Sequence, residues 1–162
     1  MTISAIRVLH VDDDRIQQAL VARSLRKLQE YEFSIQTATS EEDALLLFMR
    51  GGIDLVILDY QLSKGDGLSC LRRLRKIDPL VPIVAVSGVA TAEIATQLIE
   101  EGADDYLCKQ VLHYGQILSQ SVRNALTRAK SYRRRFSTAL ECSSNTAPCG
   151  PSSPSSPTVR RT

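Results

Sequence analysis

Three consecutive aspartates, Asp12, Asp13 and Asp14, close the hydrophobic run VLHV. Three other short apolar runs also end in polar residues: Asp59 after 54–58, Ser87 with Gly88 after 82–86, and Lys109 after 105–108. Taken singly, each has an ordinary structural role: an aspartate after a strand is a helix cap or turn residue, a serine before glycine a turn hydroxyl, and a lysine a solvated charge. Asp14, which leads straight into helix-type sequence, keeps that role as a cap or first-turn acid. Taken together, the others form a set able to handle a phosphoryl group. If the first and third strands are neighbours, Asp12, Asp13 and Asp59 meet and repel unless one is protonated or a cation sits among them. Hard oxygen ligands on an open edge suit Mg²⁺, which accepts phosphate as a co-ligand. A carboxylate is a competent nucleophile toward phosphorus. Such a transfer asks mainly for positioning and for neutralisation of the phosphoryl oxygens, and Mg²⁺, Lys109 and the Ser87 hydroxyl would supply it.

The elements that must bring these residues together are legible as an alternation. Strand-like runs at 6–11, 33–38, 54–58, 82–86 and 105–108 are separated by helical patterns. Ile16, Leu20, Leu25 and Leu28 suit one face of a first helix, Ala44, Leu45, Leu47 and Phe48 a second, Leu68, Leu71 and Leu74 a third, and Ile94, Leu98 and Ile99 a fourth. A fifth runs from about Gly115 through Leu126 and Ala129. Ser40-Glu41-Glu42-Asp43 reads as a capping box, and Gly51-Gly52, Gly102 and Asp78-Pro79 as helix stops. Alternating β and α units imply a doubly wound α/β fold, a five-stranded parallel sheet with helices on both faces. In such a sheet ligands bind beyond the carboxyl ends of the strands, where the polar residues above converge.

Composition narrows the class. Residues 1–122 carry 12 Lys/Arg against 17 Asp/Glu, a net of −5, whereas 123–162 carry 8 against 1, a net of +7. An acidic body argues against a nucleic-acid surface, and the basic stretch from Arg123 to Arg135 reads at its simplest as a solvated helix end. No apolar run is long enough for a membrane span or a signal-peptide core, so the expected address is cytoplasmic. Cys70, Cys108, Cys142 and Cys149 form no C-x-x-C pair, and His10 and His113 lie outside zinc spacing, which leaves reduced thiols. His10 reads as a strand residue, and Cys108 as a small strand residue. The last 22 residues hold 13 Ser, Pro or Thr and almost nothing to bury, so a disordered tail is expected at 141–162.

The segments VDDDR, LVILDYQLSKGDGL, VAVSG and GADDYLCK resemble, in order and spacing, the four signature blocks of receiver domains in two-component response regulators. The resemblance covers roughly residues 5–130 and gives the expected division: a receiver domain at 1–130, a basic extension of the last helix at 131–140, and the tail. It implies the flavodoxin-like strand order 2-1-3-4-5. It makes Asp59 similar to the phosphoacceptor, Asp12 and Asp13 to the acidic pair that holds Mg²⁺, and Gln61 to the residue lending its backbone carbonyl to the metal. Ser87 matches the hydroxyl that reaches the phosphoryl oxygen, Lys109 the basic partner, and Tyr106 the aromatic that reorients with Ser87. The implied function is a single-domain response regulator of a phosphorelay, a switch and not a turnover enzyme. Its implied partners are a histidine kinase or histidine phosphotransfer protein and a downstream protein target, with homodimerisation through the fourth helix, fifth strand and fifth helix, and no direct DNA or membrane binding. Two residues depart from the pattern: Ser63 stands where the family has proline four residues after the phosphoacceptor, and Gln110 where proline follows the lysine through a cis bond. A non-proline cis bond costs ~2.5–4 kcal/mol, so a trans Lys109–Gln110 peptide is expected. The alternatives are a non-phosphorylated receiver-fold interaction domain and, more remotely, an aspartate-nucleophile phosphatase, whose pattern wants an acid where Gln61 stands.

Overall fold

The computed structural model describes residues 4–110 and 115–143, with side chains through 135 and at 137. Five strands and five helices alternate: β1 Ser4–Val11, α1 Arg15–Leu25, β2 Tyr31–Ala38, α2 Glu41–Met49, β3 Leu55–Asp59, α3 Gly67–Ile77, β4 Ile83–Ser87, α4 Ala92–Glu100, β5 Asp105–Cys108 and α5 Gln116–Ser143. All four strand pairings are parallel, in the order β2-β1-β3-β4-β5. This is the doubly wound sheet and the strand order expected.

Every residue of β3 and β4 is buried, which is why LVILD and IVAVS read as unbroken apolar runs without alternation. The period of two survives in which core each side chain joins. Val56 and Leu58 of β3, with Leu9 and Val11 of β1, pack with Leu45, Phe48, Leu71, Leu74 and Leu98 from α2, α3 and α4. Leu55 and Ile57, with Ile6 and Val8, pack with Val21 and Leu25 of α1 and Leu118, Val122 and Leu126 of α5. The edge strand β2, wet along much of its length, keeps the ordinary in–out pattern.

The helix starts follow their caps. Asp14 accepts from the Ile16 N–H at 2.8 Å, Ser40 from Asp43 at 3.2 Å and Asp66 from Leu68 and Ser69, while Thr91 caps α4. Gly51 and Gly52 both adopt φ of +81° after α2, the left-handed conformation that ends a helix at little cost only in glycine. Two expected helix faces shift. Ile16 is 70% exposed and the buried α1 stripe runs through Val21 and Ser24 as well as the expected Leu25; Ile99 likewise lies outside the buried part of α4. The described residues contain no cis peptide bond, so Lys109–Gln110 is trans, as Gln110 in place of proline requires.

Helix α5 spans 28 residues, roughly 42 Å at 1.5 Å per residue, and takes in the expected extension at 131–140 and three residues of the segment expected as a tail. Residues 144–162, including Cys149, and His113 in the stretch 111–114 lie outside the described residues. The basic stretch is not solvated throughout. Arg123 pairs with Glu30 at 2.6 Å, and Lys130 sits 5.5 Å over the Tyr31 ring, tying α5 to the start of β2. From Ser131 to Arg135 every side chain is exposed. No described helix is long and apolar enough to cross a membrane.

Candidate functional site

The carboxyl ends of the parallel strands gather the polar residues through register alone. Val11 of β1 pairs with Leu58 of β3, so the residues that follow, Asp12 and Asp59, stand side by side. Asp59 pairs with Val86 of β4, one step before Ser87, and Ser87 pairs with Cys108, one step before Lys109. Asp59 and Ser87, expected just after their strands, are the last residues of β3 and β4.

Asp12 and Asp59 are 2% and 1% exposed and share one cation, the Lys109 ammonium, at 3.0 and 2.7 Å. Each acid also accepts a local backbone N–H, Asp12 from Asp14 at 2.8 Å and Asp59 from Gln61 at 3.0 Å. Burial pushes both carboxyls above the usual aspartate range, against the pull of Lys109. Burial works against the Lys109 charge as well, but its bonds to Asp59 and Asp12 prevail and hold its pKa above the usual lysine value. Asp13 is half-buried and accepts the Ser63 N–H at 3.1 Å; hydrogen bonding from Ser63 keeps its carboxyl below the usual range.

Asp12, Asp13 and Asp59 each place a carboxylate oxygen within 4.8 Å of the others. Three carboxylates against one ammonium leave two formal negative charges in a mostly buried site. That is the donor set and charge deficit a hard divalent cation satisfies, so these residues fit Mg²⁺.

Ser87 and Tyr106 meet at one backbone carbonyl. The Ser87 hydroxyl donates to Val89 O at 3.1 Å and accepts the Val89 N–H, and the Tyr106 hydroxyl donates to the same Val89 O at 2.9 Å. Gln61 is exposed, with its backbone held beside Asp59 by the N–H bond described above.

His10 is 2% exposed on the α1–α5 side of β1, with Nε2 3.9 Å from Asp12 Oδ2. Burial, with Lys109 nearby, lowers its pKa to about 4, so it is neutral at pH 7 and a core residue. Cys70 is buried and its thiol is pushed up to about 12 by burial; Cys70 and Cys108 are free.

Three contributors were not legible from residue type. Gln18 on α1 reaches back to the Asp12 carbonyl at 2.7 Å and steadies the turn that carries the acids. Gly67 lets α3 begin against the active strand: a Cβ there would stand 2.4 Å from the Asp59 carbonyl oxygen. The glycine in KGDGL was the available signal for such a close approach. Ser63, noted only as a departure, bonds to Asp13.

An open parallel sheet with buried acids at its carboxyl edge defines a doubly wound α/β module with an acidic cluster at its ligand-binding edge, and the comparisons give the family. The sequence model of the response regulator receiver domain matches residues 8–120, so the chain belongs to that family. Over 149 residues it is 32% identical to the transcriptional regulatory protein PrrA of Mycobacterium tuberculosis, covering 92% of this chain and 59% of that protein. A CheY-like response regulator receiver domain protein from Methanospirillum hungatei superposes with a TM-score of 0.69 at 26% identity, covering 80% of this chain and 99% of that one. A response regulator from Burkholderia pseudomallei, solved with a phosphorylated aspartic acid, a calcium ion and citrate, has a TM-score of 0.62 at 26% identity, with 84% and 74% of the two chains covered. The chain spans 23% to 65% of the length of the curated relatives it matches.

Proposed function

We propose that this receiver domain is a phosphorylation-controlled switch that accepts a phosphoryl group on Asp59 from a phosphohistidine of a histidine kinase or phosphotransfer protein. The observation that carries this reading is the triangle at Asp59: a buried carboxylate with Lys109 at 2.7 Å and two further carboxylates within 4.8 Å. The phosphorylated aspartic acid in the Burkholderia regulator supports the same role here.

Asp12, Asp13 and Asp59, with the backbone carbonyl of Gln61, would hold Mg²⁺, which when bound neutralises charge on the phosphoryl oxygens. In the transfer, an Asp59 oxygen forms the new O–P bond as the P–N bond of the donor breaks, and the bonding pair stays on the departing imidazole nitrogen. Lys109 holds Asp59 and meets the charge gathering on the phosphoryl group. The Ser87 hydroxyl exchanges Val89 O for a phosphoryl oxygen. Tyr106, which donates to that same carbonyl, reorients with it and carries the change to the face formed by α4, β5 and α5. Output then runs through protein contacts on that face, homodimerisation included, and the domain is a switch with no turnover beyond its own phosphorylation.

The test is intact mass after incubation with a small-molecule phosphodonor and Mg²⁺. The wild type gains one phosphoryl adduct and Asp59→Asn gains none. A wild type without an adduct would leave a receiver-fold interaction domain as the reading.

A further inference from the structure

Each of the three clustered carboxylates accepts one backbone N–H, but the three bonds are not alike. Asp12 takes its hydrogen from Asp14 and Asp59 from Gln61, both two residues on, so each acid is held by its own turn. Asp13 takes its hydrogen from Ser63, 50 residues away, across the gap between the end of β1 and the loop joining β3 to α3. That loop is itself anchored. Gly67 N–H bonds to Tyr60 O at 3.3 Å, Lys64 O accepts from Glu41 N–H at 3.5 Å, and Asp66 caps α3. Ser63 is therefore a donor presented from a braced loop to the most exposed of the three acids.

We propose that Ser63 is the positioning residue of the cation site, holding the Asp13 carboxylate in register with Asp12 and Asp59 so that the site is formed before the cation arrives. The inference rests on the reading of these acids as a Mg²⁺ site. A carboxylate free to rotate must be ordered when the ion binds, whereas one already hydrogen-bonded in place spares that cost. Proline, which the family pattern places at this position, has no N–H to donate and no hydroxyl, so the latch belongs to the serine of this chain.

The experiment is calorimetric titration of the full chain with Mg²⁺, for wild type, Ser63→Thr, Ser63→Ala and Ser63→Pro, with thermal melts in chelator to establish that each variant is folded. Ser63→Pro, which removes the N–H that Asp13 accepts, weakens Mg²⁺ about 10-fold, within the range seen when outer partners of metal ligands are lost. Ser63→Ala and Ser63→Thr, which both keep the N–H, bind as wild type does. Ser63→Pro binding as tightly as wild type, or Ser63→Thr weakened as much as Ser63→Pro, overturns the positioning role. A wild type that takes up no Mg²⁺ overturns instead the reading of the acids on which the role depends.

Discussion

Asp59 and Asp12 lie where burial disfavours their charge, so the acids gathered at the sheet edge weaken the fold at neutral pH. Burial raises both pKa values in the folded protein. A carboxyl whose folded pKa lies above its unfolded value binds its proton more tightly when folded. The stability this contributes is full below the unfolded aspartate range, about 4, and is lost as pH rises through the folded pKa. At pH 7 the two acids therefore cost stability that Lys109, shared between them, only partly restores. Replacing Asp59 by the isosteric asparagine leaves Lys109 paired with Asp12 alone. In chelator at pH 7, Asp59→Asn should be more stable by about 1 kcal/mol, a Tm rise of roughly 3 °C, and the gain should vanish near pH 3. Thermal melts of the two proteins at both pH values check this. A lower Tm for Asp59→Asn at pH 7 would mean that the Lys109–Asp59 pair outweighs its desolvation.

Helices α2 and α3 are joined by a charged clip that braces the loop bearing Ser63, which leads into α3 at Gly67. Glu41, 7% exposed at the start of α2, accepts the Ser69 hydroxyl at 2.8 Å and Arg73 at 3.1 Å from α3. Burial opposes its charge, but the bonds from Ser69 and Arg73 prevail and hold its pKa below the usual glutamate range. The sign is opposite to that of Asp59: the contribution is present above the unfolded pKa, about 4.3, and is lost as pH falls through the folded value. Glu41→Gln should thus cost about 1 kcal/mol at pH 7 and nothing near pH 3, read from denaturant midpoints. Equal cost at both pH values would assign the effect to packing. The elements themselves were legible because their causes are local: a fully buried strand reads as LVILD, and a cap reads as Ser40 or Asp14. The acids, Ser87 and Lys109 were legible because strand ends in a parallel sheet share one edge. What escaped reading depends on contacts distant in sequence. The packing of α1 on the sheet turns Ile16 outward and Val21 inward, and no pattern within SKGDG announces that Ser63 will meet a residue 50 positions earlier.

Across the whole molecule, folding concentrates negative charge that the unfolded chain keeps apart. Asp12 and Asp59 are separated by most of two βα units in sequence and lie side by side in the sheet. The cluster of three carboxylates therefore exists only in the native state, and a cation that binds there must stabilise the fold in proportion to its occupancy. At a free Mg²⁺ concentration 100 times its Kd the gain is about 2.7 kcal/mol, which for a chain of this size is a Tm rise of roughly 5–10 °C. The same ion should do less to Asp13→Asn, where one of the three carboxylates can no longer ionise, and the deficit should appear as a flatter rise of Tm with Mg²⁺, each protein being measured from its own Tm in chelator. Sodium at matched ionic strength separates site binding from general screening of the acidic body, whose net charge over residues 1–122 is −5. If sodium raises the Tm as much as Mg²⁺ does, the three carboxylates are an electrostatic strain that any salt relieves, and they do not form a site that selects a divalent ion.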